Sequence, residues 1–342
     1  MSIYIQSARQ ISVQQPLVDD WFEHPIIYTE KYVSTLDPQF SDYLSPLMSR
    51  RMCTLLKRAV VVSRLTLKDA GIEKPDAIIS GTGLGCIANT EQFLLSIMEN
   101  NEQFLQPTFF MQSTHNILSA TVAIDLKCHG YNNTYVHRGT SFEQALLDAF
   151  LQFGRGKIGT ALVGGYDELT EHYYRFFNRL GRWDFEPGKC FAGETAVSML
   201  LGNKKDSHTL CRIDGVELMY RPTPVQMRET LAGLLSGAGC ESKDIDAVLT
   251  GINTHQQNDE VYHDVMAHLF EHCPMMQYKH LFGESFTSSA LGVYVAATCL
   301  HRREVPSYFL YGGTKALPDV KRILVYNHYN NKSHSFTLLS SC

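Results

Sequence analysis

The 342-residue chain lacks three things, and each lack narrows the answer. Its nine cysteines include no Cys-x-x-Cys pair. An odd number of scattered thiols, in a chain with no export-type start, reads as reduced cytosolic thiols that fill the core. Excess positive charge is missing too: the net charge is −5 and the pI about 6.3, which argues against nucleic acid as the main partner. No apolar run reaches the length of a bilayer span, and the first residues lack the basic-then-apolar order of a signal peptide. No membrane is expected, and the expected location is the cytoplasm. Apolar content suffices for one large domain or two intimate ones.

What is present centres on Gly130-Tyr-Asn-Asn-Thr-Tyr-Val-His-Arg-Gly139. Asn133 to His137 is short and β-rich. Beyond a turn at Arg138-Gly139-Thr140, Phe142, Ala145, Leu146, Ala149 and Phe150 recur at helical spacing. A strand that stops where a helix begins aims the helix's free N–H groups at the turn, a seat for a nucleophile or an oxyanion. Gly139 offers no side chain there.

Ile3–Ile5 and Ile11–Val13 read as short strands of a terminal flap, and residues 21–40 show no period. Met52–Leu67 reads as a helix, stopped by Gly71 and Pro75. Asp76-Ala-Ile-Ile-Ser-Gly81 is a buried strand entering a Gly-rich turn, and Asp246-Ala-Val-Leu-Thr-Gly251 repeats it. Further echoes pair 161–166 with 323–328, 196–202 with 335–341, and the helix after Gly139 with the Ala/Gly-rich stretch 288–300. Four elements in one order predict an internal duplication of roughly 150 residues, with halves at 1–205 and 206–342. Strands alternating with helices give an α/β layered fold, and the two small-residue helices suit burial between sheets.

These motifs resemble a family, the β-ketoacyl synthases of the thiolase-like fold, from about Ser49 to the C-terminus. Arg50-Arg51-Met52 resembles its Arg-Arg-Met helix start, and Gly81-Thr-Gly-Leu-Gly85 its Gly-Thr-Gly-x-Gly turn. Pro107 to Ala120, with Asn116, resembles the segment lining the acyl pocket. Leu162 to Glu168 resembles a strand end, and Phe191-Ala-Gly-Glu194 the Phe-x-x-Gly-Glu turn. The resemblance implies a five-layered α-β-α-β-α fold of two duplicated halves.

At the catalytic positions the chain departs from the pattern. The nucleophilic Cys of the family falls on Gly139. The first catalytic His resembles His255, in a motif cut short so that the threonines for a phosphopantetheine arm are missing. Lys-x-x-x-Gly-His resembles Lys279-His-Leu-Phe-Gly-Glu284, with Glu284 where the family's second His assists decarboxylation. A carboxylate there would repel a malonyl anion and its enolate. The glycine-rich gating loop resembles His328-Tyr-Asn-Asn331, with Tyr329 at the Phe position.

Two substitute nucleophiles stay open: Cys190, near the site by the resemblance or a buried filler, and Ser141, displaced or a cap for the helix's first turn. His263, His268, His272 and Cys273 invite a metal reading, but metal sites need convergent ligands and spacing alone better fits a helix surface, so no metal is expected. Arg50, Arg51, Lys57, Arg58 and Arg64 cluster on one helix and its start, either a steering face for an acidic acyl carrier protein or a solvated face.

The resulting expectation is a non-catalytic, chain-length-factor-like partner of an active ketosynthase in fatty-acid or polyketide synthesis, of aryl polyene or pigment type. Its cavity would help measure the acyl chain, and its expected partners are an acyl carrier protein and a ketosynthase, or a second copy as a dimer. No cofactor is implied. The alternatives are an acyl-thioester enzyme with a non-standard site and a homodimeric carrier-binding module.

Overall fold

The computed structural model describes residues 2–313 and 315–342. The first half runs β1 (Ile3–Ile11), α1 (Pro46–Ser49), α2 (Thr54–Asp69), β2 (Ala77–Gly81), α3 (Ile87–Glu99), α4 (Pro107–Ser113), α5 (Ile117–Asp125), β3 (Tyr131–Tyr135), α6 (Ser141–Gly154), β4 (Thr160–Asp167), α7 (Glu171–Arg179) and β5 (Thr195–Gly202). The second runs β6 (Cys211–Tyr220), α8 (Pro224–Gly237), β7 (Ala247–Thr250), α9 (Gln256–Leu269), β8 (Met275–Met276), α10 (Lys279–Phe282), α11 (Ser288–Arg302), β9 (Glu304–Val305), β10 (Leu317–Pro318), β11 (Arg322–Tyr329) and β12 (Ser333–Ser340).

The strand order is β3-β2-β4-β5-β1-β6-β12-β11-β7-β8. Read inward from either end it is the same motif. In the first half β2 lies parallel to β3 and β4, and β5 antiparallel to β4 and β1. In the second, β7 lies parallel to β8 and β11, and β12 antiparallel to β11 and β6. The two copies meet where β1 pairs with β6, Ile3 opposite Ile213. The segment 87–125, with α3, α4 and α5, sits on the first copy where the second has only α9.

The N-terminal residues form one nine-residue strand at the centre of the sheet rather than a two-strand flap. Its polar positions hid it: Ser7 and Gln10 are buried but bonded, Ser7 Oγ to the Thr66 carbonyl (2.7 Å) and Gln10 Nε2 to the Gln15 carbonyl (2.8 Å).

Helices α6 and α11 each touch strands of both copies, so they lie between two layers of sheet. Helix α11 is buried from Ser288 to Leu300 without a break. Small residues permit this approach. A Cβ on Gly81 would stand 2.5 Å from the backbone of Ser141 and Phe142, and one on Gly165 would stand 2.7 Å from the Ala290 Cβ. Helices α2 and α5 cover the outer face of the first copy, and α8 and α9 that of the second. Among the described residues no helix is long and apolar enough to cross a membrane.

The irregular residues 21–40 are held from below by one arginine. Arg58 on α2 forks onto Asp37 (2.6 and 3.0 Å) and reaches Glu194 (3.1 Å). Glu194 also accepts from Thr35 N (2.9 Å) and Leu169 N (3.0 Å). Only 7% of the Arg58 side chain is exposed. Removing one partner of such a buried set leaves charges unpaired, at about 3–5 kcal/mol. Arg58→Met should therefore lower unfolding free energy in urea titrations by about 3 kcal/mol or more. Arg58→Lys should recover only part, since an ammonium cannot make the fork. A loss below about 0.5 kcal/mol, the range of ordinary surface substitutions, would show that this arginine does not hold the segment.

Candidate functional site

The elbow between β3 and α6 is a single turn, Arg138–Thr140, with Arg138 at φ +52°. Ser141 is consumed by that turn: its Oγ accepts from His137 N (2.7 Å) and donates to the Arg138 carbonyl (2.8 Å). The space over Gly139 is filled from the other copy. A Cβ on residue 139 would stand 2.5 Å from Tyr329 Cδ2 and 2.9 Å from its Cγ, closer than real Cβ atoms come. Tyr329 ends β11, and the next two residues, Asn330 (φ +53°) and Asn331 (φ +50°), form a tight turn closed by Lys332 N on the Tyr329 carbonyl (3.1 Å). Two left-handed Asn residues favour a rigid hairpin, so the ring is fixed over the elbow by the ladder itself. Phe286 abuts Tyr329 with centroids 6.0 Å apart, and Phe177 and Trp183 pack on Phe286 at 5.6 Å each.

Beneath this aromatic layer lies a buried ion pair. Lys279 Nζ stands 2.7 Å from Glu284 Oε2, with 4% and 11% of the side chains exposed. Glu284 also accepts from Asn253 Nδ2 (2.7 Å) and Ser288 Oγ (3.0 Å). Burial alone would lower the Lys279 pKa, but the Glu284 carboxylate outweighs it and raises the value, keeping the ammonium charged. Polar groups continue outward. His328, lowered to about 3 by burial, gives Nε2–H to the Asn258 carbonyl (2.9 Å). Tyr262 donates to Asn327 (3.0 Å), and Asn327 to Glu143 (2.9 Å), whose carboxyl burial pushes up. The cavity among Gly139, Trp183, Asn253, Lys279, Glu284 and Tyr329 has a volume of ≈ 60 Å³. At about 10–15 Å³ per water it holds a few waters and no acyl chain.

Gly139, Lys279, Glu284 and Tyr329 are thus brought together. His255 is not among them: its Nε2 faces the Gly181 carbonyl (3.2 Å), and it lines a neighbouring groove. Asn253 takes the inward place. Asp259 receives the N–H groups of Asn253 (2.9 Å) and Thr254 (2.8 Å), and this tight capture leaves Asn253 facing Glu284 and His255 outside. The sequence reading missed Asn253, although it lies three residues past a strand end. It also missed Ser288 and the Phe177–Trp183–Phe286 cluster, which no local pattern marks.

Cys190 is fully buried, its thiol pushed up by burial and then by Glu284, so it stays protonated. Phe191 packs on Tyr28, with centroids 5.4 Å apart, and Glu194 belongs to the Arg58 set. Asn116 sits exposed at the start of α5, away from the cavity. The expected basic patch needs correction. Arg58 is buried on Asp37 and Glu194, and Arg64 forks onto Asp125 (2.7 and 2.5 Å). Lys57 lies half-buried over Phe40 (5.9 Å), and Arg50 and Arg51 remain exposed. His268 turns to Asp264 (3.1 Å) and His272 to the Ser242 carbonyl (2.8 Å), so the two do not converge.

With a glycine under a tyrosine ring and a carboxylate paired with lysine, the cavity brings no nucleophile to a base among the described residues.

The sequence model of the β-ketoacyl synthase N-terminal domain matches residues 24–193. Among solved structures, the ishigamide ketosynthase/chain length factor is similar at TM-score 0.84 and 15% identity, over 100% of this chain and 99% of that one. The ketosynthase ApeO in complex with its chain length factor ApeC, from Xenorhabdus doucetiae, is similar at TM-score 0.82 and 16% identity, over 100% and 98%. A type II polyketide acyl carrier protein in complex with its ketosynthase, AntDE:AntF, is similar at TM-score 0.77 and 12% identity, over 100% and 99%. No curated protein matches by sequence. At such identities the structural likeness carries the fold, and the fold is thiolase-like.

The contact over the elbow makes a direct prediction. Gly139→Cys should destabilise the protein by about 1–3 kcal/mol through overpacking. Its thiol should react slowly with iodoacetamide. Adding Tyr329→Ala should restore most of the stability and speed labelling at least tenfold. A single Gly139→Cys variant that is fully stable and readily labelled would show that Tyr329 does not close the elbow.

Proposed function

We propose that the chain is a member of the β-ketoacyl synthase family, whose N-terminal domain model matches residues 24–193, and that it is the non-catalytic partner of an active ketosynthase, of the chain-length-factor kind. The observation that carries this reading is the Tyr329 ring standing where a nucleophile on residue 139 would stand. The pairing of ketosynthase with chain length factor in the ishigamide and ApeO–ApeC structures supports it, and we place its work in fatty-acid or polyketide synthesis, of aryl polyene or pigment type, in the cytoplasm. An acyl carrier protein would then be the source of the chain, as in AntDE:AntF. We take 1–205 and 206–342 as the two halves, divided in the β5–β6 connection.

In this reading any effect on chain length is exercised on the partner's cavity, because the chain's own has no room for an acyl group. An acyl-thioester enzyme working through Ser141 or Cys190 is the lesser reading: the hydroxyl is bonded into the turn and the thiol is buried and protonated.

The surface for the partner is the free edge of β3 and the helices beside it. Val136 is exposed just past the end of β3, and Met98, Phe104, Phe110 and Met111 are exposed on the α3–α4 segment that leads into α5, Phe104 at 91%. An edge strand amid apolar side chains is an aggregation hazard unless covered. Co-expressed with the ketosynthase of its own host, the protein should form a heterodimer burying more than about 1,000 Å². Val136→Glu with Met111→Glu should abolish that complex in sedimentation runs without loss of fold by circular dichroism. A native protein that stays monomeric beside that ketosynthase would overturn the proposal.

A further inference from the structure

The two copies differ in charge at one end of the sheet, where their shared architecture asks for no difference. The elbow lies at the end of β3; the opposite end of the first copy is made by the connections 70–76, 126–130, 155–159 and 203–210. They carry Lys74, Lys127, Arg155, Lys157, Lys204 and Lys205, all exposed. None of the six is in an ion pair among the described residues. Against them stand Glu73, Asp76 and Asp206. Asp76 is occupied by the N–H groups of Gly159 (2.8 Å) and Thr160 (2.9 Å), and Asp206 by Gln6 Nε2 (2.9 Å) and His208 N (2.9 Å). The connections also touch one another. Cys128 Sγ meets the Pro75 carbonyl (3.2 Å), and Asn203 N bonds the Gly159 carbonyl (3.2 Å). Two hollows, of ≈ 520 and ≈ 590 Å³, share Asp76, Lys157 and Ile158. The cations therefore form one continuous face, in a chain of net charge −5.

The second copy supplies the comparison. Its connections at the same end are 238–246, 270–274 and 303–321. There Lys243 is paired with Glu241 (2.8 Å), and Asp319 takes both Arg303 (3.5 Å) and Lys321 (3.3 Å). Asp244, Asp246, Glu271 and Glu304 add further acid. The helix dipole favours a cation at Lys127 and Arg155, beside the ends of α5 and α6, but gives no reason for Lys204 and Lys205 after a strand. The kind of cation also matters. Protein interfaces enrich arginine and aromatic residues and deplete lysine, whereas five of these six residues are lysines. No large apolar side chain of the first copy's four connections is exposed. Lysines are hydrated point charges on flexible stems, suited to a diffuse plane of negative charge rather than to a shaped partner.

We propose that this face docks on a bilayer that bears anionic phospholipid. The expectation of no membrane weighed only spans and leaders, and a charged face needs neither. No described helix is long and apolar enough to cross a bilayer; the contact is electrostatic, at the surface, and reversible. The elbow stays at the far end of the strands. Nothing in the inference depends on pairing with a ketosynthase.

The test is cosedimentation of the full chain with phosphatidylcholine vesicles, with and without about one part in three of phosphatidylglycerol. Binding should require the anionic lipid and weaken as salt rises. At about fivefold per cation removed, Lys157→Gln with Lys204→Gln should weaken it at least tenfold. Lys243→Gln with Lys321→Gln removes the same net charge from the second copy and should change binding less than twofold. Vesicles should also shield Lys157 and Lys204 of the native chain from acetic anhydride, read by peptide mass, a measurement that needs no variant to fold. Equal binding to neutral vesicles, no binding to either kind, or equal loss from both variants would overturn the proposal. Binding to duplex DNA or to an acidic protein but not to vesicles would overturn it too, and reassign the face to that partner.

Discussion

The centre of this molecule is governed by one constraint: α6 and α11 are held between two layers of sheet, so close that the residues at the points of contact must be small. Gly81 and Gly165 set the distance, and Ser288 to Leu300 fills it without an exposed position. Polar groups in such a layer must find partners inside the protein. Glu143 finds Asn327 and Ser335, and Glu284 finds Lys279, Asn253 and Ser288. The residues around the elbow are therefore committed to one another. A carboxylate beside a buried lysine is costly to leave unpaired, so the pair also fixes α10 against the start of α11.

Much of the fold was legible because its periodicities are strong. The Asp-Ala starts of β2 and β7 announce the duplication, and the small residues of α6 and α11 announce their burial. The nine-residue β1 was not legible, because Ser7 and Gln10 break the apolar pattern, and Ser7 finds its partner only in Thr66, 59 residues away. The same blindness applies to charge. Arg58 and Asp37 are 21 residues apart and Arg64 and Asp125 are 61 apart, so a run of cations on one helix looked free when two of its members were already paired.

At the site, Gly139, Lys279 and Glu284 were legible through motif order, and Tyr329 as the residue in a gating position. The meeting of Tyr329 with Gly139 was not, since it joins the last strand pair of one copy to the elbow of the other. His255 and Asn253 are two residues apart in a polar turn, and only the capture of two backbone N–H groups by Asp259 decides which faces inward. A rigid two-Asn turn in place of a glycine-rich loop has the same logic: it converts a segment that could swing into one that holds a ring still.

A protein of this build keeps a thiolase-like architecture and commits the residues around its elbow to internal packing. In the proposed function its working surface is the free edge of β3. The measurement that bears most directly on that account is the intact mass of the purified protein after incubation with malonyl- and acyl-carrier thioesters. The account predicts an unchanged mass. A stable acyl adduct on any side chain of the native protein would contradict it.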